Sequence, residues 1–243
     1  MSGHSKWATT KRKKATIDAK RAKLFTKIAK LITIAARDGK SGDPSMNPGL
    51  RLAVDNARAI SMPKDNIDRA IKHGIGESGT GAKLEEIQYE AYGPGGAAIL
   101  IECLTDNRNR AIAEIKATLN KNNGSMATTG SVSYLFKKVG QVILDEEKNR
   151  VKGEELELII LESGADDFSK EDNFYVLVCE FTKLISVRKK LEESQIVVDA
   201  AEVSYMPNSD LELDESKKES VVKLLEALDD LEDVNNVYTN ASL

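Results

Sequence analysis

Histidine, cysteine and aromatic side chains are scarce in this 243-residue chain, which has two His, two Cys and one Trp. The histidines, His4 and His73, lie far apart, and no His/Cys cluster has metal-ligand spacing. No Ser, His and Asp are arranged for nucleophilic attack, and neither a GxSxG elbow nor a Walker loop occurs. The sequence therefore predicts a protein that is not an enzyme, with no catalytic residues and no metal or other cofactor. Cys103 and Cys179 stand 76 positions apart, each inside an apolar run that reads as a strand. Reduced core thiols are expected rather than a disulfide. Also missing is any apolar run near the roughly 20 residues needed to span a bilayer. The first residues carry no hydrophobic stretch of the secretion-signal kind. A cytoplasmic location and no membrane partner are expected.

Acid is nearly absent where base is densest. Residues 1–40 carry twelve Lys/Arg against Asp18 and Asp38, a balance of +10, in a chain of net charge −4. Residues 79–243 carry a balance of −14. Such asymmetry predicts separate surfaces with different partners.

Helical periodicity opens the chain. From Asp18 to Arg37, apolar residues Leu24, Phe25, Ile28, Leu31, Ile32 and Ala35 recur at three- and four-residue spacing and make one face. At 100° per residue, Lys20, Lys23, Lys27 and Lys30 fall in a stripe about 80° wide, to one side of that face. A second helix is expected from Asn47-Pro48 and a third from Pro63, with Gly74 as its C-terminal stop. Gly74, Gly76 and Gly79 spell GxGxxG, but they follow a helix and lead into a strand, the wrong context for a dinucleotide fingerprint, so this stretch reads as a linker. From residue 84 strands interleave with single helices. "LEEIQYEAY", "AAILIECL", "NFYVLVC" and "VNNVYT" read as strands, and "SVSYLF" with "GQVILD" reads as a hairpin turning at Lys137–Val139. The predicted fold class is multidomain α+β: an N-terminal three-helix domain followed by two α+β domains of ferredoxin-like type.

Two places read as nucleic-acid contacts. Lys11, Arg12, Lys13 and Lys14 precede the first helix, and with Arg21 and the lysine stripe they make a cationic track for a phosphate backbone. Trp7, beside Lys6, reads equally as a base-stacking indole or as a lid on the helical core. The second place is "LTDNRNRA", residues 104–111, at a strand end and helix start. Asn107, Arg108 and Arg110 are candidate contacts to an anion or RNA there, although Asp106 or Asn107 also serves as an ordinary N-cap. Asp229, Asp230, Glu232 and Asp233 read as a solvated acidic face. The acidic segment from Asp210 to Asp233 is a candidate dock for basic proteins or a shield for the basic domain.

Several runs resemble the YebC/PmpR family of gene-expression regulators: "GHSKWA" (3–8), "DAKRAKLFTKIAK" (18–30), "GDPSMNPGLRLAVDNARA" (42–59), "MPKDNIDRAIKHGIGE" (62–77), "YEAYGPGGAAILIECLTDNRNRA" (89–111), "GSVSYLF" (130–136) and "LLEALDDLEDVNNVYTN" (224–240). The chain departs from the family pattern at Thr10, Ala91 and Lys116 and in its "NNGSMATTGSV" loop. The resemblance implies a helical domain over 1–78, a middle α+β domain over 79–130 with 207–243, and an α+β domain inserted over 131–206. It also implies regulation through nucleic acid. Some members are transcriptional regulators at promoter DNA; others are translation factors acting on the ribosome, including at proline-rich stalls. Lysine reads charge more than sequence, and no helix offers a base-reading face of Asn, Gln and Arg. Ribosomal RNA is therefore the expected partner, with promoter DNA as the alternative.

Overall fold

The computed structural model describes residues 18–77 and 84–243, with side chains from Ala22 onward in the first span. Three helices lead: α1 (Asp18–Asp38), α2 (Pro48–Ala59) and α3 (Lys64–Gly74). Ile28, Ile32 and Ala36 of α1 meet Leu50, Val54 and Ala57 of α2 and Ile67 and Ala70 of α3 in one core. Each large aliphatic buried there contributes about 1.5–3 kcal/mol. Asn47 ties the layout together. Its Oδ1 accepts the Leu50 N–H (3.0 Å) as the N-cap of α2, and its Nδ2 donates to Ala35 O (2.8 Å) at the end of α1.

Gly74 does not stop α3 in the way the sequence suggested. It is the last helical residue, and a Cβ there would lie 2.4 Å from the Thr33 carbonyl oxygen and 2.7 Å from Ala36 Cβ. Its missing side chain is what lets α3 approach α1. The stop is Gly76, at φ 82°, in a Schellman arrangement: Gly76 N–H donates to His73 O (3.3 Å) and Glu77 N–H to Lys72 O (3.0 Å). Gly74→Ala is expected to lower stability by about 1–3 kcal/mol, because the clash is with rigid backbone. Urea unfolding measures it; an unchanged midpoint would mean that the helices separate without cost.

The remainder of the chain forms β1 (Glu85–Tyr92), β2 (Ala98–Thr105), α4 (Arg108–Lys121), β3 (Ser125–Met126), β4 (Phe136–Asp145), α5 (Glu154–Glu162), β5 (Asp167–Glu171), β6 (Phe174–Glu180), α6 (Leu184–Glu193), β7 (Ala200–Pro207), α7 (Glu215–Asp229) and β8 (Val234–Thr239). These strands make two four-stranded sheets, ordered β3-β1-β2-β8 and β5-β6-β4-β7. The second has the βαββαβ chain order of a ferredoxin-like unit. Its strands lie, in sequence, between β3 and β8 of the first. The fold is therefore α+β, with one sheet carried inside the chain path of the other.

The expected hairpin at Lys137–Val139 does not form. A 3-10 turn over Ser133–Leu135 precedes one continuous strand, β4. Gly140 marks a close approach inside that strand, where a Cβ would meet Cys179 Sγ at 2.8 Å. Cys103 and Cys179 are both buried and neither is in a disulfide, and burial pushes the Cys179 thiol up to about 11.

Two compact units emerge from the described backbone. One consists of 84–137 with Tyr205–Leu243. On one face of its sheet, Ile99, Ile101 and Cys103 pack with Ile115 and Leu119 of α4 and Leu224, Leu225 and Leu228 of α7. On the other face lie Ala98, Leu100, Val132, Phe136 and Tyr238. The second unit joins the three helices to 138–204. Its helices cover an open sheet edge. Asn56 Nδ2 donates to Ala201 O (2.7 Å) and its Oδ1 accepts the Ala201 N–H (3.1 Å), pairing the edge strand β7 as a neighbouring strand would. Arg188 of α6 reaches Asp55 Oδ2 (3.6 Å) beside it.

Candidate nucleic-acid interface

Of the cationic track, Lys6, Trp7, Lys11, Arg12, Lys13 and Lys14 lie outside the described residues. Lys20 and Arg21 are placed on the backbone of α1 only. Lys23 is exposed and Lys30 half-buried. Lys27 departs from expectation: it is 8% exposed, and Ile34, on the same side of α1, is 5% exposed. From Lys27 onward the lysine side of α1 is therefore packed into the fold, since 100° per residue puts Lys27 and Ile34 only about 20° apart. Among the described residues, Lys23 is the member of the stripe that is exposed.

The second place is built by the β2–α4 junction. Asn107 is the N-cap of α4: its backbone is extended (φ −140°, ψ 92°) and its Oδ1 accepts the Arg110 N–H at 3.1 Å. Its own N–H donates to Thr105 Oγ1 (2.9 Å). Arg110 is engaged by carboxylates. Its Nε (3.0 Å) and an Nη (2.8 Å) donate to Asp233 Oδ2, and the same Nη donates to Asp106 Oδ1 (2.9 Å). Its hydrogen bonds to Asp233 and then to Asp106 raise the pKa of Arg110 further.

Asp233 is thus not part of a solvated acidic face; it is 2% exposed and holds Arg110, whereas Asp230 and Glu232 are exposed. That leaves Arg108, exposed and without a carboxylate partner among the described residues. Behind it the buried Tyr89 hydroxyl has no hydrogen-bond partner among them. Burial raises the Tyr89 pKa, while the neighbouring Arg108 guanidinium works in the opposite sense. Arg110→Met is expected to lower the melting temperature, by orphaning a buried carboxylate, while nucleic-acid affinity per folded molecule stays unchanged. Calorimetry with a binding titration separates the two; a binding loss without a stability loss would return Arg110 to the interface.

One arrangement was invisible to sequence reasoning. Glu90 of β1 is 6% exposed, and its carboxylate collects three backbone N–H groups: Gly130 on Oε1 (2.6 Å), Val132 (2.5 Å) and Ser133 (2.9 Å) on Oε2. Burial works to raise its pKa, but these amides outweigh it and hold the carboxyl below its usual range. Strand alternation placed Glu90 on a polar, solvent-facing side; the crossing of 127–135 over that side buries it.

Among the described residues, no group of three or more His, Cys, Asp or Glu is placed to hold a metal ion, and no helix is long and apolar enough to cross a membrane. Fold and site together define a multidomain α+β protein fronted by a cationic helix. The chain belongs to the TACO1/YebC family: residues 5–77 match the TACO1/YebC protein N-terminal domain, and residues 84–241 the TACO1/YebC second and third domain. It is 48% identical over 243 residues to a probable transcriptional regulatory protein of Thermobifida fusca, covering 100% of this chain and 96% of that one. A protein of the same description from Mycobacterium sp. (strain KMS) is 47% identical, with the same coverage. The crystal structure of a conserved hypothetical protein from Aquifex aeolicus superposes with a TM-score of 0.88 at 37% identity, covering 93% of this chain and 92% of that one.

Proposed function

We propose that this protein is a non-enzymatic regulator of gene expression that works by holding nucleic acid along its cationic leading segment, with ribosomal RNA as the target. One observation carries the reading. Residues 1–40 hold a balance of +10, and the apolar side of α1 is committed to the helical core through Ile28, Ile32 and Ala36. A basic amphipathic helix with a free apolar side suits a lipid surface. Here that side is occupied, and the remaining cations suit a polyanion. The track runs through Lys11, Arg12, Lys13, Lys14, Lys20, Arg21 and Lys23, with Lys6 and Trp7 ahead of it; Arg108 is a second contact. The working division is a basic domain over 1–78, a middle domain over 79–130 with 207–243, and an inserted domain over 131–206. The acidic segment after Asp210 is the surface for basic ribosomal proteins, in the cytoplasm, and relief of stalling at proline-rich stretches is the activity such a ribosomal contact would serve.

Promoter DNA is the second reading, favoured by the relatives' description as probable transcriptional regulatory proteins. Sedimentation of lysate through sucrose at rising salt tests the first. Co-migration with ribosomes at low salt that is lost as salt rises is expected, and absence from ribosomes at low salt would refute it. Retention of a promoter duplex in the presence of excess tRNA would favour the second.

A further inference from the structure

The loop that Glu90 organises ends on an aromatic ring. Segment 127–135 exposes Thr128, Thr129 and Gly130, and then Tyr134, whose 69% exposure exceeds that of Tyr92 and Phe181, the other large exposed aromatics among the described residues. A single exposed apolar side chain is ordinary on a protein surface and asks for no explanation. Tyr134 differs in how its backbone is held. Upstream, the Glu90 carboxylate takes the Gly130, Val132 and Ser133 amides. The Tyr92 hydroxyl donates to Ser131 O (3.1 Å). Asn208 donates through Nδ2 to Tyr134 O itself (3.0 Å) and through its N–H to Leu135 O (2.8 Å). On either side of the ring, Val132 and Phe136 are buried in the cluster with Ala98, Leu100 and Tyr238. The chain is thus pinned before, at and after Tyr134, while the ring points away from the packed side and Lys137, also exposed, follows it. A ring carried on a backbone already fixed in place binds with less ordering cost.

We propose that Tyr134 is a stacking platform for an unpaired nucleobase of single-stranded RNA, with Lys137, exposed three residues further on, as the cation for the adjoining phosphate. The idea rests on the proposed nucleic-acid function but assigns a contact in a different unit of the chain from the cationic helix. Stacking on an aromatic face tolerates any base, so the site adds affinity for unpaired strands without demanding a sequence. It discriminates single strands from duplexes, whose bases are already stacked on one another.

The test compares wild type, Tyr134→Ala and Tyr134→Trp, the last in a Trp7→Phe background so that the new indole is the sole tryptophan. The probes are a short oligouridylate and an RNA duplex of equal length. Tyr134→Ala is expected to weaken oligouridylate binding about five- to a hundredfold and to leave duplex binding unchanged. Tyr134→Trp is expected to keep the oligouridylate affinity of its Trp7→Phe parent, measured alongside it, and to show fluorescence quenching on binding. Wild-type affinity for oligouridylate in Tyr134→Ala, or unquenched indole fluorescence from the Tyr134→Trp variant in a complex that has formed, would overturn the assignment while leaving the cationic track standing. Equal losses on both probes would overturn it too, as a general electrostatic or structural effect. Failure of wild type to bind either probe would overturn the broader reading and this one with it.

Discussion

Reversing the charge of Lys11, Lys14, Lys20 and Lys23 to Glu is expected to weaken binding to any RNA or DNA by roughly a thousandfold or more at about 0.1 M salt. Each phosphate contact on a duplex adds about 0.9 to the steepness of the log affinity–log salt plot, so four lost contacts flatten it by about 3 to 4. Lys27 is left out deliberately: at 8% exposure its replacement would test the fold, not the interface. The substitutions avoid Ile28, Ile32 and Ala36, so helicity and melting temperature are expected to survive. Filter binding across a salt series reads both quantities. A variant that is folded yet unchanged in affinity and slope would remove the cationic track from the account.

Replacing Glu90 with Gln is expected to cost about 2–4 kcal/mol of stability at neutral pH, the largest effect here from a single side chain outside the apolar cores. Two acceptor oxygens and a charge serve three backbone amides, and the amide side chain keeps one oxygen while turning a donor towards the others. The pH dependence has a definite sign. The folded carboxyl is held below its usual 4.5, so the unfolded chain takes up the proton first as the solution is acidified. Glu90's contribution is fully present above that value and is lost as the pH falls through the lower, folded one. Urea titrations at neutral pH and at about pH 3 are expected to show the gap between wild type and Glu90→Gln closing in acid. A gap independent of pH would mean that the carboxylate charge is not what holds the loop. Hydrogen exchange at Gly130, Val132 and Ser133 reports the same change locally.

The helical leader was legible because its signals are local: three- and four-residue apolar spacing, Asn47-Pro48 at one start, and Pro63 before another. The α+β class followed from strands separated by single helices. What stayed hidden depends on groups distant in sequence. Lys137–Val139 read as a turn, but they lie inside one continuous strand, in which Cys179 and Leu184 approach Gly140 closely. The edge strand Asp167–Glu171 offers little apolar alternation beyond Phe168, and only its pairing with β6 reveals it. In the "NRNR" run a cap needs one residue, and the surplus suggested contacts. The structure accounts for two of the three candidates there: Asn107 caps the helix, and Arg110 holds Asp233, 123 positions away. Arg108 is exposed and has no carboxylate partner among the described residues. Glu90 gave no signal at all, since a Glu in an alternating strand reads as solvent-facing until another segment covers it.

Ultraviolet crosslinking in living cells, followed by sequencing of the attached nucleic acid and mass spectrometry of the attached peptide, tests most directly whether the front of this chain holds a polyanion. The account predicts ribosomal RNA joined to peptides from residues 5–30. Crosslinks confined to other parts of the chain, or a protein recovered without nucleic acid, would contradict it.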